Sequence, residues 1–473
     1  MGGSESKGKL EDSSQFTNEE RQSIQKFYTE NNLSGDGFMK LFISLGEQAS
    51  TNLKHYILSL RQSGHHKSEK AVSIEQFEKF LGYVLKGYYP EKSIVFAALC
   101  STSKTLKIQE IFWGTKQLIR AYKTFVLRDP MWNNWNLSVP TMISEGKFVL
   151  HLLQEIFEKG FPPQIDNDGN IKLPPDTVTE YSETDIESMM SKSPLFMYIF
   201  DAVFGGLFHL ESQNDSIHDM ISSLVTVPYT EPVQGKPVPS QLDIYQITFI
   251  NFNLLKDLQA EWRIVFSNHL YGDSFTQLLS RIQNKGPTLL VVTDKTGHKF
   301  GGFCSKSWEL NPKFYGTSDC FLFSLTEYGI YHTTQYNENY MYLNHGQQTL
   351  PNGLGMGGQF DYFGLWIDQS FNHGHSKAKP KCTTYGSPQL SGTPEFEVDM
   401  IEVWGLGPEP KNEDSDEEVE KQTKKSILDK EPEAKALLNL IGKEQRSEGF
   451  QEREDDDMSE EMKRKMNTIP KLI

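Results

Sequence analysis

The segment Gly353-Leu354-Gly355-Met356-Gly357-Gly358 limits what this chain can fold into more than any other stretch. So many glycines demand positive φ or the close approach of another chain segment. The run that follows, Gln359 to Asp368, holds Phe360, Tyr362, Phe363, Leu365, Trp366 and Ile367 and reads as a core strand. Gly353-x-Gly355-x-x-Gly358 has the letters of a dinucleotide fingerprint, but that fingerprint opens a helix whose N-terminus holds pyrophosphate. Strand formers follow here instead. A kinase glycine loop needs a lysine on the next strand and an HRD-type catalytic loop, and the chain has neither. The segment is therefore expected to be a long structural loop between two strands, not a phosphate site.

Upstream, residues 16–227 read as mostly helix. Thr17-Asn18-Glu19-Glu20 is a capping box followed by Ile24, Phe27 and Tyr28 at helical spacing. Ser73-Ile74-Glu75-Gln76 repeats the box ahead of Phe77, Phe80, Leu81, Val84 and Leu85. Further stripes run through Ile108, Ile111, Phe112, Leu118 and Ile119, and through Phe148, Leu152, Leu153, Ile156 and Phe157. The pattern resembles degenerate EF-hand pairs. Neither Asn31–Gly37 nor Asp166–Asn170 places oxygen ligands and glycine where a calcium loop needs them, so no metal is expected. Leu195 to Leu210 is shorter than the ~18–20 residues of a membrane span and contains Asp201, so it reads as a buried helix. Pro228, Pro232, Gly235, Pro237 and Pro239 mark residues 228–242 as a linker.

After it comes a β-rich region. Trp262 to Phe266 reads as a strand, and Thr288–Thr293, the turn Asp294-Lys295-Thr296-Gly297 and His298–Phe303 read as a hairpin. Phe321–Leu325, Tyr340–Leu343 and the alternating run Phe396–Trp404 add strands. Gly272-Asp273-Ser274-Phe275 resembles the nucleophile block of a GDSL-type esterase, but Ser274 with Gln277 makes an N-cap for a helix ended by Gly286-Pro287. His332, His345, His373, His375 and Cys382 lack metal-site spacing and read as loop histidines and a core thiol. No Gly-x-Ser-x-Gly elbow or Walker loop is present, and no cofactor is expected.

Gly272-Asp273-Ser274-Phe275, Phe300-Gly301-Gly302-Phe303, Trp308, Phe321-Leu322-Phe323, Gly355-Met356-Gly357-Gly358, Phe363–Asp368, Cys382-Thr383-Thr384-Tyr385 and Ile401-Glu402-Val403-Trp404-Gly405 fall in the family order of a TLDc domain, which residues 243–407 resemble. The resemblance implies a two-sheet sandwich with flanking helices. The expected fold class is α+β: a helical EF-hand-like N-terminal half, a TLDc β-sandwich and a C-terminal helix. The glycine segment, Met1-Gly2 and the tail resemble a lipidated, lysosome-associated, mTOR-linked branch of the family. That implies binding of the vacuolar-type proton-pumping ATPase, support of mTOR signalling and a place on the cytoplasmic face of lysosomes, with a cytosolic pool. The family's association with oxidative-stress protection supports a rival reading, an enzyme of hydrolase or peroxide-handling type, for which the sequence offers no redox pair or cofactor loop.

The termini bear on attachment. Residues 1–15 form an arm whose Met1-Gly2-x-x-x-Ser6 start fits N-myristoylation at Gly2. One acyl chain binds membranes only reversibly, with K of about 10⁴ M⁻¹, so a protein partner is expected to supply the second contact. Residues 408–425 read as an acidic linker and 426–442 as an amphipathic helix, with Leu437, Leu438 and Ile441 as candidate partner anchors. An isolated helix of that length is marginal in water and needs a surface. Residues 443–473 read as a disordered acidic tail. A formal charge of −16 and a pI near 5.3 argue against a nucleic-acid partner. Four scattered cysteines fit a reducing compartment.

Overall fold

The computed structural model describes residues 16–60, 71–158, 163–165, 171–173, 180–208, 228–377 and 379–410. Gly2, the segment Asp166–Asn170, Leu437, Leu438, Ile441 and the expected C-terminal helix lie outside them. The first half is helical for the reasons its caps announce. The Asn18–Glu30 helix opens on a reciprocal box, in which Thr17 Oγ1 accepts from the Glu20 amide and Glu20 Oε2 from the Thr17 amide. Ser73 and Gln76 open the Ile74–Leu81 helix the same way and turn Phe77, Phe80 and Leu81 inward. The 19-residue Ile108–Val126 helix buries Ile111, Leu118 and Ile119. The apolar Pro194–Leu207 helix tolerates its one carboxylate because Asp201 Oδ1 meets Lys92 Nζ of the Tyr89–Cys100 helix at 2.6 Å. No described helix is long and apolar enough to cross a membrane.

The second half is an eleven-stranded antiparallel sheet. Its strands are β1 (Trp262–Ser267), β2 (Thr288–Asp294), β3 (Lys299–Cys304), β4 (Asn311–Tyr315), β5 (Phe321–Ser324), β6 (Gly329–His332), β7 (Met341–Asn344), β8 (Gly353–Gln359), β9 (Tyr362–Asp368), β10 (His373–His375) and β11 (Glu395–Leu406). Two sheets, β1-β11-β2-β3-β5-β6 and β4-β7-β8-β9-β10-β11, share β11. Glu395–Glu397 pair with β10, whereas Glu402–Leu406 lie between β2 and β1. Register breaks after Val398 and Val403 let the strand turn from one sheet into the other. The expected sandwich is present, and a single hydrogen-bonded ladder runs through both of its sheets.

The first sheet is buried on both faces, which explains the uninterrupted apolar run of β2. Leu289, Val291, Phe303, Phe321, Phe323 and Trp404 pack against the helices. Leu290, Val292, Cys304, Leu322, Ile401 and Val403 pack against Leu354, Met356, Leu365 and Ile367 of the second sheet. The sheets approach so closely at Gly302 that a Cβ there would sit 2.4 Å from Met356 Sδ. The β2–β3 hairpin turns as expected, with Asp294 Oδ1 accepting from the amides of Thr296 and His298, both at 2.9 Å. The Phe275–Ile282 helix ends four residues before Gly286, earlier than expected. Its exit is set by Trp308: Gln283 forms a bridge to that residue, and the Asn284 amide donates to its carbonyl at 3.2 Å.

The proline-bearing stretch 228–242 is built into the body. Val238–Ser240 pairs in parallel with Trp135–Leu137, and Thr230, Val238 and Leu242 are fully buried. Trp135 stacks on Trp404 at 4.8 Å and meets Trp262 edge-on at 6.2 Å, while its Nε1–H donates to the Pro228 carbonyl at 3.0 Å. Removing one such ring from a core costs about 3–5 kcal/mol. Beside the indoles lies Glu402, 1% exposed. The Gln241 amide (2.6 Å), Ser240 Oγ (2.9 Å) and Trp404 Nε1–H (3.0 Å) all donate to its carboxylate. Lys299 Nζ donates to the Gln241 carbonyl and to Gln246 Oε1.

Burial pushes the Glu402 carboxyl up to about 7, against the pull of those three donors and of Lys299. A folded-state value raised above the unfolded one favours folding fully at low pH, and that contribution is lost as pH rises through about 7. Glu402→Gln removes the titration. The stability of the native chain relative to this variant should fall between pH 5 and 7.5, by at most about 1.4 kcal/mol per pH unit, in chemical denaturation across that range. Parallel profiles for the two proteins would contradict the assignment.

Candidate functional site

The glycine segment is a strand rather than the expected loop. β8 pairs with β7 on one side and with β9 on the other. Its glycines serve the rings of β9: a Cβ on Gly353 would lie 2.5 Å from Trp366 Cζ2, and one on Gly355 2.6 Å from Phe363 Cδ1. Leu354 and Met356 alternate inward to the sandwich core. Gly357 and Gly358 take φ of 71° and 82°, the left-handed region that disfavours side chains. Their amides are already used, Gly357's on the Asn339 carbonyl (3.0 Å) and Gly358's on Thr384 Oγ1 (2.8 Å). These amides offer a phosphate no donors, and the chain turns directly into β9 instead of a helix.

The glycines thus create an aromatic outer face on the second sheet. Tyr342, Phe363 and Trp366 are its buried centre, with Phe314 and Phe360 against them. Phe363 and Trp366 stack at 4.5 Å, and the Tyr342 hydroxyl donates to the Pro351 carbonyl at 2.9 Å. His375 lies over Trp366, ring centroids 6.0 Å apart, with its Nε2 buried and unpartnered. Burial, helped by Lys377, lowers its imidazole to about 4, so the ring is neutral at physiological pH.

Two clefts flank this face. One, of about 470 Å³, is lined by Trp366, Asp368, His373, His375, Glu395 and Glu397. β10 does present both imidazoles to one cleft, with His373 opposite Glu397 and His375 opposite Glu395. Both glutamates already have cations: Lys377 lies 3.0 Å from Glu395, and Lys295 lies 2.5 Å from Glu397. Among the described residues no three His, Cys, Asp or Glu side chains are grouped to hold a metal ion. The other cleft, about 390 Å³, carries Lys377, Lys379 and Lys381 beside Tyr362.

The remaining candidates are placed structurally. Ser274 Oγ accepts from the Gln277 amide at 3.3 Å as a helix N-cap. His332 packs against Phe321 at 5.4 Å and His345 against Phe275 at 5.8 Å. All four cysteines are free and buried, and burial raises the thiols of Cys100, Cys304 and Cys382, which keeps them protonated. Sequence reasoning missed Glu402 and the lysine cleft. A lone carboxylate in Ile401-Glu402-Val403-Trp404 and three lysines in Lys377–Lys381 of an acidic chain were the available signals.

Residues 240–407 match the TLDc domain family. MTOR-associated protein MEAK7 of Gallus gallus is 40% identical over 421 residues, covering 87% of this chain and 86% of that protein. The Homo sapiens protein of the same name is 37% identical over 390 residues, covering 82% and 81%. Oxidation resistance protein 1 of Homo sapiens is 30% identical over 147 residues, which is 31% of this chain and 16% of that protein.

Ser274→Ala distinguishes a cap from a nucleophile. Loss of the cap should lower stability by about 0.5–2 kcal/mol in denaturant titration and leave any esterase or peroxidase rate of the preparation unchanged. Loss of turnover with an unaltered melt would instead make Ser274 a nucleophile.

Proposed function

This chain belongs to the TLDc-domain family of MTOR-associated protein MEAK7, and from that premise we propose that it is a non-catalytic regulator linked to mTOR signalling. One observation carries the reading: the similarity to those relatives extends over the helical half and the TLDc domain alike, at 40% identity across 87% of the chain. The match to the oxidation resistance protein stops at 31% of the chain. The capped Ser274 and the buried thiols weigh against the hydrolase and peroxide-handling readings.

We further propose that the protein works on the cytoplasmic face of the lysosomal membrane, tethered by a myristoyl group on Gly2, and binds the vacuolar-type proton-pumping ATPase. The Met1-Gly2-x-x-x-Ser6 start supports the tether. The weakness of a single acyl chain supports a protein partner as the second anchor. The TLDc domain is the candidate for the first contact with the pump, and the sequence positions Leu437, Leu438 and Ile441 are the candidates for the second.

The test uses the pump purified from lysosomal membranes and the full chain. Replacing Leu437, Leu438 and Ile441 together by Asp should weaken binding at least about tenfold, and Gly2→Ala should abolish membrane co-sedimentation in the absence of the pump. Stoichiometric binding that survives the triple change would move recognition into residues 16–410. Absence of binding by the native chain would refute the pump reading.

A further inference from the structure

A cleft of about 390 Å³ lies beside the β8–β9 turn. Its described lining includes Gln359, Tyr362, Lys377, Lys379, Lys381 and Pro394, with three ammonium groups and no carboxylate. In a chain of net charge −16 this is a local reversal of sign. Lys377 is neutralised by Glu395 at 3.0 Å. Lys379 and Lys381 are exposed and have no ion pair or hydrogen bond among the described residues.

Both ends of the lysine segment are fixed. Before it, the Ser376 amide donates to the Pro394 carbonyl at 2.8 Å and its hydroxyl to the Gly364 carbonyl at 2.7 Å. After it, the Cys382 amide donates to the Ser387 carbonyl at 2.8 Å, and Thr384 Oγ1 donates to Asn337 Oδ1 at 2.6 Å. The described backbone is thus anchored at Ser376 before Lys379 and at Cys382 directly after Lys381. Across the cleft, the Tyr362 ring is 60% exposed, a large apolar surface left in water beside two uncompensated cations.

We propose that this cleft binds an acidic, extended peptide segment of a partner protein. Its carboxylates pair with Lys379 and Lys381, and one apolar side chain seats between Tyr362 and Pro394. Charge complementarity selects an anionic ligand. Shape and chemistry select a peptide over a membrane. A concave cleft admits side chains but not the plane of a bilayer, and its apolar wall matches a side chain. Lysines alone hold a phosphate as point charges, without the bidentate fork of arginine or the convergent backbone donors that make a phosphate site specific. The lining has no arginine, and the Gly358 amide is spent on Thr384.

The probe is a fluorescein-labelled acidic dodecapeptide of Glu and Asp around a single Leu, titrated with the full-length protein at low ionic strength and read by fluorescence anisotropy. Lys379→Glu with Lys381→Glu should weaken binding at least about tenfold, and Tyr362→Ala by a smaller factor. Reversing the exposed Lys306 and Lys313, an equal change in net charge, should alter affinity less than about twofold. The neutral pair Lys379→Gln and Lys381→Gln should give an intermediate loss, and it covers the case in which charge reversal disturbs folding. Equal losses from the two reversed pairs would overturn the site in favour of diffuse charge attraction. Failure of the native protein to bind the peptide would overturn it as well. Binding only to phosphatidylserine vesicles, with the same lysine dependence, would replace the peptide by a membrane surface.

Discussion

The body of this protein depends on one junction between its helices and its sheet. Trp135, from the helical half, stacks on Trp404 of β11, and the strand it begins pairs with Val238–Ser240. That pairing brings the Ser240 hydroxyl and the Gln241 amide onto the carboxylate of Glu402. A buried carboxylate without partners costs several kcal/mol, so the segment that supplies the donors is held as firmly as the carboxylate itself. The indoles exclude water, and exclusion of water is what raises the Glu402 carboxyl to about 7. Shape and charge enforce the same register at this point, and the described residues between Phe16 and Pro410 accordingly form a single unit.

From the junction, order passes outward through β11. Its C-terminal half lies between β1 and β2, and its first residues pair with β10. The helices therefore brace the first sheet directly and the second sheet through a shared strand. That arrangement leaves the far face of the second sheet free to vary without loosening the core. Gly353 and Gly355 use the freedom by letting Trp366 and Phe363 lie flat across β8. The result is a buried aromatic cluster on the outer side of the second sheet, with a histidine-bearing cleft and a lysine-bearing one beside it.

The sequence is legible where the chemistry is local. Thr17 and Ser73 cap the helices that follow them because their partners lie three residues on. The β2–β3 hairpin follows from Asp294 and Gly297, and the TLDc motifs pointed to the sandwich. The failures share one cause, a partner that lies on another element. The glycines of β8 looked like a loop because the rings that require them belong to the next strand. The Phe275–Ile282 helix stops early because Trp308 captures its exit. Residues 228–242 carry linker composition, and their burial depends on Trp135 and Glu402, each about a hundred residues or more away. Lys379 and Lys381 became visible as a site only once the fold set them beside Tyr362.

The most direct test of this account asks whether the helical half and the TLDc domain melt together. Differential scanning calorimetry of the full chain should show one principal transition whose calorimetric and van't Hoff enthalpies agree, and Trp135→Ala should shift it as a whole. Two resolved transitions, with Trp135→Ala moving only one of them, would contradict the claim that the junction makes the two halves a single cooperative body.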